Sequence, residues 1–122
     1  MHTIYRVEHK GNREGPFCGS YAPRGYGMPV TSEHPDITTD VIKCRGEYFP
    51  FSYVCGCLSL DMLRHWFGDN EWITALSIVH YEIAVYEVPN DEVLLTHSNT
   101  QVAFYQTEAY RVSGISLLTL LA

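Results

Sequence analysis

The chain has 122 residues and carries 8 Lys and Arg against 14 Asp and Glu, a formal net charge of −6. This length fits one domain over residues 1–122, because two separate halves would each be too small to bury an adequate core. The hydrophobic fraction of 46% excludes wholesale disorder, and the excess of acid excludes a conventional nucleic-acid reader, whose affinity depends on neutralising phosphates.

The expected compartment follows from both ends of the chain and from its cysteines. Residues 1–6 lack the basic start and apolar core of a signal peptide, and the apolar stretch 115–122 is far shorter than the roughly 20 residues of a membrane helix. We therefore expect a cytoplasmic protein with no membrane partner. In a reducing cytoplasm its four cysteines stay free thiols. A zinc site built by their convergence in space stays open, although Cys55-Gly56-Cys57 has the wrong spacing for a zinc knuckle.

The first half of the chain combines strand-forming pieces with a long irregular segment. Residues 3–9 predict a first strand, since they are rich in β-branched and aromatic residues and contain no breakers. Residues 10–46 hold six of the nine glycines and four of the six prolines, without clear periodicity. A segment of this length usually serves function or flexibility. Residues 48–54 are again β-prone, and Pro50 among them fits an edge strand or a strand start.

Two short helices are predicted next. Ser59 can cap the first helix, in which apolar residues recur three and four positions apart, and Gly68 ends it. Asn70 can cap the second helix, which has an acidic residue in its first turn and an apolar face.

From residue 79 the spacing of hydrophobic residues changes from the helical period to the period of two residues that is typical of strands. Alternation over residues 81–86 predicts a strand, and Pro89-Asn90-Asp91 is a turn signal. Further short strands are predicted over residues 93–96, 101–105, 109–112 and 115–121. The last third is therefore expected to be mainly an antiparallel sheet packed on the helix pair, which makes the fold class α+β.

The charge is unevenly distributed along the sequence. Residues 1–46 carry six bases against five acids, a net charge of +1, whereas residues 47–122 carry two bases against nine acids, a net charge of −7. An acidic body of this kind can steer a protein toward a basic surface. Solvation of an ordinary acidic face is the alternative explanation.

Motifs that carry chemistry are missing from the sequence. There is no phosphate-binding glycine motif, no His-Glu-x-x-His and no Gly-x-Ser-x-Gly. A Cys–His nucleophile pair would require convergence in space, which a sequence alone does not show. We therefore predict neither catalytic residues nor metal ligands.

One order of residues resembles a known fold family. Arg6 lies on the first strand, Ser52 lies in an aromatic strand that leads into a helix, and Gln101 begins a β-prone piece near the end. This order resembles the Arg–Ser–Glu layout of ADP-ribosyltransferase-fold proteins, in which Arg and Ser contact NAD and Glu orients the ribose. Gln101 stands where the catalytic Glu would be, and a neutral amide stabilises an oxocarbenium-like transition state less than a carboxylate. The resemblance implies a protein that binds or turns over an NAD-derived nucleotide, and the missing carboxylate favours binding without transfer.

A second resemblance, to small phage and prophage proteins without assigned activity, concerns the whole chain. It rests on the pieces Ile4-Tyr5-Arg6-Val7-Glu8-His9, Gly15-Pro16-Phe17, His34-Pro35, Cys57-Leu58-Ser59-Leu60-Asp61, Leu63-Arg64-His65-Trp66-Phe67 and Gln101-Val102-Ala103-Phe104. Small acidic phage proteins are often counter-defence factors such as anti-CRISPR inhibitors. The resemblance therefore implies a phage origin and a partner among host defence effectors.

Together these observations favour a protein without a cofactor that inhibits a host effector by occupying a basic, nucleic-acid-binding surface. Tyr and Arg are favoured interface anchors, so we predict contacts from Tyr21, Arg24 and Tyr26 in the glycine-rich segment. Asp91 and Glu92 are the predicted rim charges. The alternatives are the nucleotide-binding protein implied by the first resemblance and a virion or assembly component that self-associates.

Overall fold

The computed structural model describes residues 1–16, 53–96, 98–106 and 109–121. The strands within them are β1 His2–His9, β2 Tyr53–Gly56, β3 Tyr81–Val88, β4 Val93–Leu95, β5 Val102–Tyr105 and β6 Tyr110–Ile115. The helices are α1 Leu60–Trp66 and α2 Asn70–Ile78, with 3-10 helices at Asn90–Glu92 and Leu117–Leu120. The predicted α+β class, with mainly antiparallel sheet, is confirmed.

The strands form two antiparallel sheets of three strands each. The first sheet has the order β1-β3-β6 and the second has the order β2-β5-β4. One isolated bridge, between Tyr5 and Cys57, joins β1 to the residue that follows β2. The central strand β3 is buried at six of its eight positions, because both of its faces are covered.

The first sheet lies between the helices and the second sheet. Val7 and Ile83 lie on the face that packs against the helices, whereas Ile4 and Tyr86 lie on the face that packs against the second sheet. The helical side of the core contains Leu63, Trp66, Phe67, Trp72, Ile73, Leu76, Leu117 and Leu120. The side facing the second sheet contains Val93, Val102 and Phe104. Each of these side chains contributes about 1.5–3 kcal/mol when fully buried.

Both helices have a capping residue, and the cap of the second helix differs from the predicted one. Ser59 Oγ accepts a hydrogen bond of 3.1 Å from the backbone N–H three residues on, as predicted. The cap of α2 is Asp69, and Asn70 is already the first residue of the helix. Asp69 Oδ1 accepts from the backbone N–H groups of Glu71 at 2.9 Å and Trp72 at 3.3 Å. A carboxylate also favours the positive end of the helix dipole, which explains why Asp69 is the cap.

The prediction of a strand over residues 115–121 is wrong. β6 ends at Ile115, and Leu117–Leu120 is a 3-10 helix. Ser116 caps this helix, because its Oγ accepts a hydrogen bond from Leu118 N at 3.3 Å. Residues three apart share one side of such a helix, so both Leu117 and Leu120 enter the core. A short apolar run does not reveal this period by itself.

Two predicted segments lie only partly within the residues that the structure describes. β2 begins at Tyr53, so residues 48–52 of the predicted strand 48–54 lie outside the described residues. Of the glycine-rich segment only residues 10–16 are described, and they turn back on β1, where His9 N donates to Glu14 O at 2.9 Å. Among the described residues no helix is long and apolar enough to cross a membrane.

Candidate functional site

An acidic turn follows the central strand at one end of the molecule. The 3-10 helix Asn90–Glu92 exposes Asp91 and leaves Glu92 half-buried. Tyr53 donates its hydroxyl to Glu92 Oε2 at 3.3 Å. Its ring stacks on that of Tyr105, directly opposite on β5, with centroids 5.6 Å apart. We call Asp91, Glu92, Tyr53 and Tyr105 the acidic end; it combines two carboxylates with an ordered aromatic pair.

The turn after β1 places Lys10 far from the acidic end. Lys10 follows His9, which pairs with Tyr81 at the start of β3, whereas the acidic end follows Val88. Eight strand residues span roughly 24 Å. This is about three Debye lengths at physiological salt. Lys10 therefore does not cancel the negative field that the acidic end presents to an approaching partner.

A second group of charged residues is buried between the two sheets. Arg6 and Glu8 lie on the β1 face that meets the second sheet, and the Glu8 side chain is 1% exposed. Arg6 Nε lies 3.3 Å from Glu8 Oε2, and Arg6 Nη1 donates to the Cys55 carbonyl oxygen at 2.8 Å. Tyr86 donates its hydroxyl to Glu8, at 2.8 Å from Oε1 and 2.9 Å from Oε2. The three strands β1, β2 and β3 thus meet around one carboxylate.

Two further side chains complete this group. Gln106, after β5, donates from Nε2 to Glu8 Oε2 at 3.1 Å and to the Tyr86 hydroxyl at 3.1 Å. Arg111 on β6 places Nε 3.6 Å from Glu8 Oε1, and its Nη2 also binds the Glu82 carboxylate. We call Arg6, Glu8, Glu82, Tyr86, Gln106 and Arg111 the buried polar cluster. It connects both sheets through side chains.

Burial controls the protonation chemistry of this cluster. It raises the pKa of Glu8 above the ordinary 4.5, while the Tyr86 hydroxyl and the guanidinium groups of Arg6, Arg111 and Arg13 oppose that rise in pKa. Burial likewise raises the pKa of Tyr86 above the ordinary 10.0, so its hydroxyl stays protonated and donates at neutral pH. Both oxygens of the Glu8 carboxylate accept from neighbouring side chains, which fits a role in holding the sheets together.

Comparison with known proteins determines the family. Residues 1–118 match the family model described as Bacteriophage T4 Y00F protein. The chain belongs to this family. The expectation of a small phage-encoded protein is thereby confirmed. No curated protein and no solved structure shows significant similarity to the chain.

The residues predicted for protein contact fall into two groups in this Y00F-family protein. Asp91 and Glu92 lie together on the acidic turn. Tyr21, Arg24 and Tyr26 lie outside the described residues, and their role stays a prediction. Sequence reasoning missed the stacked Tyr53 and Tyr105. Both tyrosines stand in β-prone pieces, but the register that stacks them is a property of the sheet.

The residues predicted for a nucleotide also lie in different settings. Arg6 belongs to the buried polar cluster, with its guanidinium turned toward Glu8 and Cys55. Gln101 is buried just before β5, and its carbonyl oxygen accepts from Thr96 Oγ1 at 2.6 Å. Ser52 lies outside the described residues. A common nucleotide cleft for these three residues stays a prediction.

The cysteines of this Y00F-family protein were the other candidates for chemistry. Cys55 and Cys57 are free thiols. Burial, with a smaller contribution from Cys55, raises the pKa of Cys57 to about 12, so this thiol is not a thiolate at neutral pH. Within the described ranges no group of three His, Cys, Asp or Glu side chains could hold a metal ion.

Proposed function

We propose that this phage protein inhibits a host defence effector by docking its acidic end on a basic surface that otherwise holds nucleic acid. The observation that carries this proposal is the pair of carboxylates, Asp91 and Glu92, beside the stacked rings of Tyr53 and Tyr105. A groove that binds nucleic acid is lined with Lys and Arg, which attract phosphates. Carboxylates presented in fixed positions compete for the same cations.

The geometry of the acidic end suits such docking. The hydroxyl of Tyr53 holds the Glu92 carboxylate in one position, so less side-chain freedom is lost when a cation binds it. Asp91 is exposed and adds a second negative charge at the rim. Tyrosine rings supply large contact areas at a low cost in conformational entropy. Charge would therefore contribute mainly to the rate of association, and the rings to the lifetime of the complex.

The first test measures inhibition in bacteria. The chain is expressed in a panel of hosts, each with one active defence system such as CRISPR interference, and the plating efficiency of a targeted phage is measured. The wild-type chain should restore plating in at least one host, and Asp91→Asn with Glu92→Gln should weaken binding to that effector about tenfold. Asp61→Asn with Glu71→Gln is the control, because it removes the same charge from the exposed starts of the two helices.

Two outcomes would contradict the proposal. If the wild-type chain restores plating in no host, the counter-defence role is wrong. If both double variants inhibit equally, the acidic end is not the docking surface. Affinity for the purified effector should also fall as the salt concentration rises. Calorimetry with NAD tests the competing hypothesis that Arg6, Ser52 and Gln101 bind a nucleotide. A measurable heat of binding would favour that hypothesis over effector inhibition.

A further inference from the structure

Strand β6 forms an edge of the first sheet. In the part of the chain that the structure describes, β6 pairs on one side only, with β3. Tyr110 is 72% exposed and Val112 is 54% exposed, and Ser113 and Gly114 are exposed as well. An edge strand presents backbone N–H and C=O groups that can pair with another strand.

We propose that β6 pairs antiparallel with β6 of a second copy of this chain, around a two-fold axis between Val112 and Ser113. In a two-fold interface, if one residue contacts another, the same contact recurs with the copies exchanged. The axis places Tyr110 opposite Ile115 of the second copy and Arg111 opposite Gly114 of the second copy. The two sheets then form one continuous sheet in which β6 is no longer an edge.

The faces of β6 agree with this register. Residues directly opposite each other in antiparallel strands share one face, so each proposed pair must do so too. Tyr110 and Ile115 pair with Glu87 and Ile83 on the face toward the helices. Five residues apart on a regular strand they would point to opposite faces. The extra residue in β6, marked by the register shift between Val85 and Tyr86 of β3, brings them to the same face.

The second pair brings opposite charges together. Arg111 and Gly114 pair with Tyr86 and Ala84 on the face toward the second sheet. The Glu82 carboxylate lies over Gly114, where a Cβ atom would be 2.6 Å from Glu82 Oε2. This carboxylate already binds Arg111 Nη2 of its own copy. Arg111 of the second copy, opposite Gly114, would join this ion pair, and symmetry would gather two Arg111 and two Glu82 side chains into one charge-balanced network. The Arg111 side chain is 28% exposed in one copy, so part of it is open to the second copy.

This self-complementarity favours a second copy over a strand from another protein as the occupant of the edge. The edge offers the Arg111–Glu82 ion pair beside a glycine, together with one aromatic and one aliphatic side chain at the two ends of β6. Each of these finds its counterpart at the same edge of a second copy. Cross-strand pairs of opposite charge and of aromatic with β-branched side chains stabilise sheets. The acidic turn lies outside this interface, so dimerisation is independent of the proposed docking.

Analytical ultracentrifugation of the full chain over a range of concentrations tests the proposal. The wild-type mass should rise from the 13.9 kDa of one copy toward twice that value as concentration increases. Tyr110→Lys should weaken the dimer at least tenfold, because it places a charge in the new interface. Ile78→Lys is the matched control, since Ile78 on α2 is also 72% exposed, and it should dimerise like the wild type.

Two further measurements distinguish a loss of dimerisation from misfolding and from a loss of docking. Circular dichroism checks that each variant is folded, and Val112→Lys replaces Tyr110→Lys if the latter unfolds. A wild-type chain that stays monomeric at every concentration would overturn the proposal. So would a folded edge variant that dimerises as well as Ile78→Lys, or a wild-type edge that pairs only with another protein. Asp91→Asn with Glu92→Gln should dimerise normally, so a failure of docking leaves this result intact.

Discussion

Tyr86 is the residue on which the buried polar cluster depends most directly. Its hydroxyl donates to Glu8 and accepts from Gln106, inside a region from which water is largely excluded. A hydrogen bond to a charged group contributes about 1.5–3 kcal/mol, more than a neutral pair does. The side chain therefore stabilises the ionised form of Glu8 as well as filling space between the sheets.

We expect Tyr86→Phe to lower the free energy of unfolding by about 1.5–3 kcal/mol at neutral pH, because the Glu8 carboxylate loses its shortest hydrogen bond. Urea denaturation measures the change, with Tyr110→Phe as the control that removes an exposed hydroxyl. The control should change the stability by less than about 0.5 kcal/mol. Equal effects of the two variants would show that the buried hydroxyl has no special role.

Glu8 also predicts the pH dependence of stability. Its pKa in the folded protein lies above the ordinary 4.5 because of burial, so folding favours the protonated form. The contribution of this group is complete below the unfolded pKa and is lost as the pH rises through the folded pKa. The difference in unfolding free energy between the wild type and Glu8→Gln, which does not titrate, should fall as the pH rises above about 4.5. A difference that increases over this range would mean that the arginines outweigh burial.

The sequence predicts the strand that contains Arg6 and Glu8 but not their environment. Charged residues that alternate with Tyr5 and Val7 normally indicate one solvent-exposed face. Here the second sheet covers that face, so both charges are buried and must be paired. Sequence spacing cannot show this burial, because the partners Cys55, Gln106 and Arg111 are all distant from Arg6 and Glu8 in the sequence.

At the scale of single elements, the cap of α1 is predicted correctly, whereas the predicted cap of α2 is wrong by one residue. Two adjacent residues, Asp69 and Asn70, are both good caps in sequence terms. The structure selects Asp69, which accepts from two backbone N–H groups. The apolar face of α2 is the same in either case, so periodicity does not distinguish the two starts.

The cap assignment can be tested with two neighbouring variants. Asp69→Ala should destabilise the protein by about 1 kcal/mol, because it leaves two backbone N–H groups without their acceptor. Asn70→Ala lies inside the first turn and should change the stability by less than about 0.5 kcal/mol. Thermal unfolding of both variants gives the comparison. The reverse order of effects would restore Asn70 as the cap.

Strand pairing is the part of the fold that local sequence leaves open. Alternation over residues 81–86 predicts the strand observed as β3, yet its two neighbours in the sheet come from opposite ends of the chain. The stacked tyrosines of the acidic end depend on the pairing of β2 with β5 in the same way. By contrast, Asp91 and Glu92 belong to one local turn, and this explains why sequence placed them together.

At the scale of the whole molecule, close packing around Gly56 sets the distance between the two sheets. A Cβ atom on Gly56 would lie 2.5 Å from Ile4 Cγ2 and 3.1 Å from the Tyr5 carbonyl oxygen. The backbone of β2 therefore approaches β1 as closely as side-chain packing allows. A larger residue at position 56 has to push the second sheet away from the first.

Gly56→Ala should destabilise the protein by about 1–3 kcal/mol through overpacking between the sheets. Gly68→Ala is the control, because a Cβ atom there meets its nearest neighbour, the Arg64 carbonyl oxygen, at an ordinary 3.8 Å. Chemical denaturation of the two variants measures the contrast. If Gly56→Ala is tolerated as well as Gly68→Ala, the sheets can separate without loss of packing.

The strand order β1-β3-β6 also has a consequence for how the protein is made. β1 ends at His9, and its partner β3 begins 72 residues later, at Tyr81. At bacterial synthesis rates of up to about 20 residues per second, this interval lasts at least about 4 s. Throughout it the apolar residues of β1 lack their native partner. The first sheet therefore cannot form until translation is well advanced, and β1 is open to chaperones and to aggregation during that interval.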